Sequence, residues 1–150
     1  LIFNIEGLTV HDKVENMEGT IGEILLRPHL NYTNIIHTIL TNNIKLSGIA
    51  HITGGGLIEN LLRSIPKDLT LNIDLAKIKV TKIFKWLKSK NISENEMIKT
   101  FNCGVGFCLI VPKKNVRKIK KFFSKQFIPY EIGFISKNKN SIKLVNSIKW

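Results

Sequence analysis

Cysteine is scarce in this sequence: the 150 residues hold two, Cys103 and Cys108, with four residues between them in FNCGVGFCL. That spacing matches no zinc or iron–sulfur pattern and lacks a second ligand pair, so reduced, buried thiols are expected and no metal site. Proline is rare as well, four in all, and neither it nor glycine gathers into a linker or low-complexity tract; no internal repeat and no domain boundary is visible. Long apolar runs are missing: Lys, Asn or Glu interrupts each well short of the ~20 residues a bilayer crossing requires. With no charged-then-apolar leader in view, a cytoplasmic protein without membrane contact is expected. The opening LIFNIEGL, with Leu1 in place of Met, reads as the interior of a gene product, and the chain is expected to be a fragment.

Acidic residues are few, 11 against 23 Lys and Arg, for a net charge of +12 and a pI near 9.9. Such an excess would ordinarily raise the case for nucleic acid. It is mostly Lys in a chain equally crowded with Ile and Asn, as an AT-rich genome writes at permissive surface positions. What the chain does have is core: 43% hydrophobic residues and a mean hydropathy of +0.04 fit one packed domain of ordinary size.

Apolar periodicity lays out the elements. Ile35, Ile36, Ile39 and Leu40 recur at helical spacing over residues 32–43, after Pro28 and the potential cap Asn31. Leu46 to Ile52 reads as a strand running into Thr53-Gly54-Gly55-Gly56, and Leu57, Ile58, Leu61, Leu62 and Ile65 then take up a helical period ended by Pro66. Leu69–Ile73 alternates as a strand, and Val80–Ser89 reads as an amphipathic helix. Ser93-Glu94-Asn95-Glu96 forms a capping-box signature, with Met97 and Phe101 inward. Val105–Val111 reads as a buried strand, Val116–Phe123 as a basic helix, Tyr130–Ile135 as a strand and Ile142–Val145 as an edge strand. Helices alternating with short strands, some too close for parallel crossovers, predict an α+β fold: a mixed sheet with helices packed on it.

Two stretches carry chemistry. In HITGGGLIENLLRSIP (51–66), three glycines let the backbone approach a ligand while the helix that follows aims its first amides outward, an arrangement suited to a phosphate. Thr53 offers a hydroxyl, His51 an acid, base or orienting group, and Asn60 follows a turn later. Glycines that merely satisfy a tight turn are the competing explanation. In MIKTFNCGVGFCLIVP (97–112), Gly104 and Gly106 flank a helix-to-strand turn with Asn102 at its mouth; a β-bulge with Cys103 and Phe107 in the core is the alternative.

Taken together and in this order, the two stretches resemble the C-terminal domain of the aminoimidazole ribonucleotide synthetase family. The resemblance begins near GTIGEILLRPHLNY, includes IFKWL, and finishes around Tyr130-Glu131-Ile132-Gly133. It implies a fold of α/β/α layers, partly ferredoxin-like. It also implies the C-terminal half of a homodimeric enzyme that uses ATP and Mg²⁺ to close a five-membered ring on a small ribonucleotide, with an N-terminal ATP-binding and dimerisation domain absent from this chain. Carried over by position, Thr53, Gly54, Gly55, Gly56, Asn60, Gly104 and Gly106 would face phosphate or substrate, and His51 and Asn102 would orient reacting atoms. Two departures stand out. Pro28-His29-Leu30 replaces a Pro-Thr-Arg/Lys run, and Phe107 stands where Met is usual, a change read as repacking of the core. Two alternatives remain. One is another member of the ATP-using superfamily, such as selenophosphate synthetase or a hydrogenase-maturation protein. The other is a basic nucleic-acid-binding module built on Lys113–Lys125.

Overall fold

Lys13 and Thr20 form an isolated antiparallel bridge that folds the first stretch of the chain back on itself. The computed structural model describes residues 1–124, 128–137 and 141–150, which divide into two compact units, Leu1–Leu30 and Asn31–Trp150. No linker in the sequence marks this division.

The first unit holds one short helix, α1 (Ile21–Leu25), and its start is set by a capping box. The Thr20 hydroxyl accepts from the Glu23 amide, and the Glu23 carboxylate accepts from the Thr20 amide at 2.7 Å, so two orphan donors are satisfied reciprocally. Thr20-Ile21-Gly22-Glu23 thus carries the reciprocal pair expected at Ser93–Glu96. At the latter site only the Ser93 hydroxyl caps, receiving the Glu96 amide, and the Glu96 carboxylate accepts from the Thr100 hydroxyl.

In the second unit the order is α2 (Thr33–Thr41), β1 (Gly48–His51), α3 (Gly56–Leu62), β2 (Leu69–Asp74), α4 (Lys82–Ser89), α5 (Glu94–Thr100), β3 (Phe107–Ile110), α6 (Val116–Lys120), β4 (Gly133–Lys137) and β5 (Ser141–Val145). Every predicted element is present, most with tighter bounds. The α+β class holds, with the strands in two sheets. One is an antiparallel pair, β1 with β3. The other is a mixed three-stranded sheet ordered β4-β2-β5, with β4 antiparallel and β5 parallel to the central strand. Thr70, Leu71 and Ile73 of its middle strand are buried, as suits a strand flanked on both edges, and β5 lies at an edge as expected.

Ile39 of α2, Ile44 and Ile119 of α6 make a buried cluster against which Leu46, Leu109, Val111, Phe122 and Phe123 pack. This cluster reaches the β1–β3 pair through Leu109 of β3. Met97 and Ile98 of α5 and Leu57 and Leu61 of α3 are also buried, and α3 and α5 pack together. The two glycine-bearing loops therefore leave rigid elements at both ends. Among the described residues no helix is long and apolar enough to cross a membrane.

Candidate functional site

His51 ends β1 and is the register partner of Phe107, which begins β3. One residue on, the Ile52 amide donates to the Gly106 carbonyl at 3.0 Å. The two motifs thus meet at the end of the same strand pair, although long stretches of sequence separate them.

The three glycines of the first turn are not equivalent. Gly54 is exposed, has no left-handed φ, and a Cβ built on it would meet nothing within 4 Å. The fold makes no demand for glycine there, and the missing side chain leaves open backbone. Gly55 has φ +90°, and a Cβ would run into the Glu59 carboxylate. Gly56 has φ +60° and is buried; its Cβ would overlap the Ile98 carbonyl. This glycine lets α3 and α5 approach backbone to backbone and does not face solvent.

Asn60 closes the turn from behind. It is 8% exposed, and its Nδ2 donates to the Gly56 carbonyl at 2.7 Å, with longer contacts to Gly54 at 3.2 Å and Thr53 at 3.4 Å. Its Oδ1 accepts from Arg63 at 2.8 Å. Both ends of the amide are held by protein groups. Glu59, which sequence reasoning missed, folds its carboxylate over Gly55, with Arg63 3.9 Å away to offset the charge. Its place four residues after Gly55, hence one helical turn on, is the signal that could have revealed it.

In the second loop the Asn102 Oδ1 accepts from the Gly104 amide at 2.9 Å and the Asn102 carbonyl from Val105 at 2.8 Å, an Asx turn that shapes the loop. Cys103 sits at φ +51° and Gly104 at φ +102°, where a Cβ would stand 2.7 Å from the Lys79 carbonyl. The Cys103 thiol donates weakly to the Met97 carbonyl. Burial pushes its pKa up to about 11, helped by the Glu94 charge, and burial pushes Cys108 up to about 12. Both thiols are thereby held in the protonated form at neutral pH.

Gly106 has a different partner: a Cβ there would stand 2.5 Å from the Tyr32 hydroxyl. The Tyr32 ring stacks on Phe107 at 4.9 Å and 29°, and meets His51 edge-on at 6.4 Å; His51 and Phe107 lie 5.9 Å apart. Phe107 is therefore half-buried in a ring cluster and not a core residue. Tyr32 was not singled out by the sequence, because nothing local distinguishes an aromatic ahead of a helix from any other. Burial, and then the neighbouring Cys108, raise its hydroxyl pKa.

Among the described residues no group of three or more His, Cys, Asp or Glu side chains could hold a metal ion. His51, Thr53 and Gly54 form the exposed rim; Gly55, Gly56, Asn60, Asn102 and Gly104 build the loops that carry it.

Comparison with known proteins shows the family to which the chain belongs. The family model described as AIR synthase related protein, C-terminal domain, matches residues 2–145. A phosphoribosylformylglycinamidine cyclo-ligase of Lactobacillus helveticus (strain DPC 4571) is 42% identical over 142 residues, covering 91% of this chain and 40% of the relative. One from Prochlorococcus marinus (strain NATL2A) is 40% identical over 121 residues, covering 79% of this chain and 35% of the relative. A trifunctional purine biosynthetic protein adenosine-3 of Drosophila melanogaster is 39% identical over 117 residues, 77% of this chain and 9% of that protein. The chain spans about two fifths of the length of the cyclo-ligases it matches.

Proposed function

Because the chain belongs to the family of C-terminal domains of AIR synthase related proteins, we propose that it supplies the substrate-facing C-terminal part of a phosphoribosylformylglycinamidine cyclo-ligase. In this reaction the formyl oxygen of formylglycinamidine ribonucleotide is activated by ATP, the amidine nitrogen attacks, and phosphate leaves as the imidazole ring closes. The observation that carries the reading is Gly54: an exposed glycine that the fold does not need, beside the Thr53 hydroxyl, on a turn braced by Asn60. We read Thr53 and Gly54 as the part that meets the substrate phosphate, through a hydroxyl donor and unobstructed backbone.

His51 stands on the rim, where it can orient or exchange a proton with a polar substrate atom. Asn102, Gly104 and Gly106 set the shape of the facing loop, and Gly55, Gly56 and Asn60 set that of the turn. In this reading ATP and Mg²⁺ are held mainly by a further domain of a cytoplasmic homodimer, and this chain contributes its own side chains and backbone. Nucleic acid has no part in it. Lys120 of the basic helix is paired with Glu131 at 2.7 Å, as suits a solvated face.

The test is ATP-dependent ring closure by the complete gene product, by its Gly54→Asp form, and by the 150 residues alone. Activity in the first and its loss in a folded Gly54→Asp supports the reading. A folded but inactive complete product sends the function to another chemistry of the superfamily.

A further inference from the structure

Ring surface is gathered beside the glycine turn. His51 and Phe107 are register partners on neighbouring antiparallel strands, which places their side chains on one face of the ladder with Cβ atoms about 5 Å apart. Tyr32 arrives from just before α2 and lays its ring on Phe107 at 4.9 Å. Gly106 makes room for this, since any side chain there would displace the Tyr32 hydroxyl. His51 is exposed and the other two are half-buried, so the cluster keeps ring surface open to solvent.

A phosphate alone has no π face to offer such a cluster; a planar base does. From this we infer that Tyr32, His51 and Phe107 form a stacking platform for the planar ring or amidine of a ligand whose ribose 5′-phosphate meets Thr53 and Gly54. The inference rests on the proposed role of that turn in meeting phosphate. Gly54 is three residues beyond His51, at most about 10 Å of extended chain, a separation on the scale of a nucleotide from base to phosphate. Gly106 thereby acquires a definite role: it seats the ring that completes the platform. Phe107 gives Tyr32 a flat partner.

The probes are AMP, which has a base, and ribose 5-phosphate, which has none, titrated calorimetrically into the 150-residue chain. AMP is expected to bind roughly 5- to 150-fold more tightly, as one stacked base allows. Tyr32→Leu and Phe107→Leu should bring that ratio toward one by weakening AMP, and Tyr32→Phe, which keeps the ring, should preserve it. Should the leucine variants unfold, the wild-type chain still decides: the adenine protons of bound AMP must shift upfield in its NMR spectrum. Equal affinities of the two probes, or no upfield shift, overturn the platform alone. Ribose 5-phosphate binding that Gly54→Asp leaves untouched overturns the reading of the turn, and failure of both probes to bind overturns both.

Discussion

The side-chain amide of Asn60 donates to the carbonyl of Gly56, four residues earlier, at 2.7 Å, and leans with the same group on the carbonyls of Gly54 and Thr53. One buried NH₂ thus gathers three carbonyl oxygens that would otherwise point apart. Asn60→Ala should lower stability by about 1–3 kcal/mol, the cost of leaving buried polar groups unpaired, read from urea denaturation. Asn60→Asp should be worse at neutral pH, because a carboxylate would face those oxygens. Protonation supplies a donor, so its deficit relative to wild type should shrink as the pH falls toward 4; an equal deficit at both pH values would contradict this geometry.

Adjacent glycines should respond oppositely to alanine. Gly54→Ala meets nothing and needs no left-handed backbone, so stability should stay within about 0.5 kcal/mol of wild type while ribose 5-phosphate binding weakens. Gly56→Ala forces a Cβ into the Ile98 carbonyl at φ +60° and should cost roughly 2–6 kcal/mol from backbone strain and overpacking. Thermal melts of the two variants side by side check this.

The cysteines set an alkaline limit. Burial raises Cys103 to about 11 and Cys108 to about 12 from an ordinary value of 9.0. The folded state therefore favours the protonated thiols. Their contribution is fully present below pH 9, where the unfolded chain is protonated too, and is lost as the pH rises toward 11–12 and only the unfolded chain ionises. Unfolding free energy should be flat in this respect up to about pH 8.5 and fall above pH 9. Cys103→Ser/Cys108→Ser should reduce that alkaline slope. In native buffer at pH 8 a thiol reagent should label neither residue rapidly, and both should react in denaturant.

Glu94 holds the end of the chain: its Oε2 accepts from the Ile148 amide at 3.2 Å and from the Trp150 indole at 3.0 Å. Glu94→Gln keeps the shape and removes the charge, and should cost about 1–2 kcal/mol as two charge-assisted bonds weaken. The more specific sign is optical: the emission of Trp150 should move to the red as its ring is released to water, most clearly in a Trp86→Phe background.

Much of this molecule could be read from its chain. The glycine run and the helical spacing after it marked the β1–α3 turn, and the apolar runs marked each strand. Where bounds shifted, a local interaction explains the shift. β3 begins at Phe107 and not Val105 because Cys103 and Gly104 are held at positive φ by the Asx turn of Asn102. β4 begins at Gly133 and not Tyr130 because the Tyr130 hydroxyl is held by the Lys79 amide at 3.2 Å. The functions of single glycines were not legible: Gly54, Gly55 and Gly56 are identical letters, and only their neighbours tell an open position from a packed one. The parallel pairing of β5 with β2 and the stacking of Tyr32 on Phe107 were hidden for the same reason, since each depends on residues distant in sequence.

The pairing of His51 with Phe107 also sets when the rim of the site comes into being. Helices α3 and α5 can begin from local contacts, but the hydrogen bond from Ile52 to Gly106 closes a loop containing most of the middle of the chain, and such closure comes at an entropic cost that local contacts do not repay. A refolding chain should thus regain helical circular dichroism before it regains any affinity for a ribose phosphate. The site is an observer of that long-range step, and ligand binding followed in time would be a clock for it.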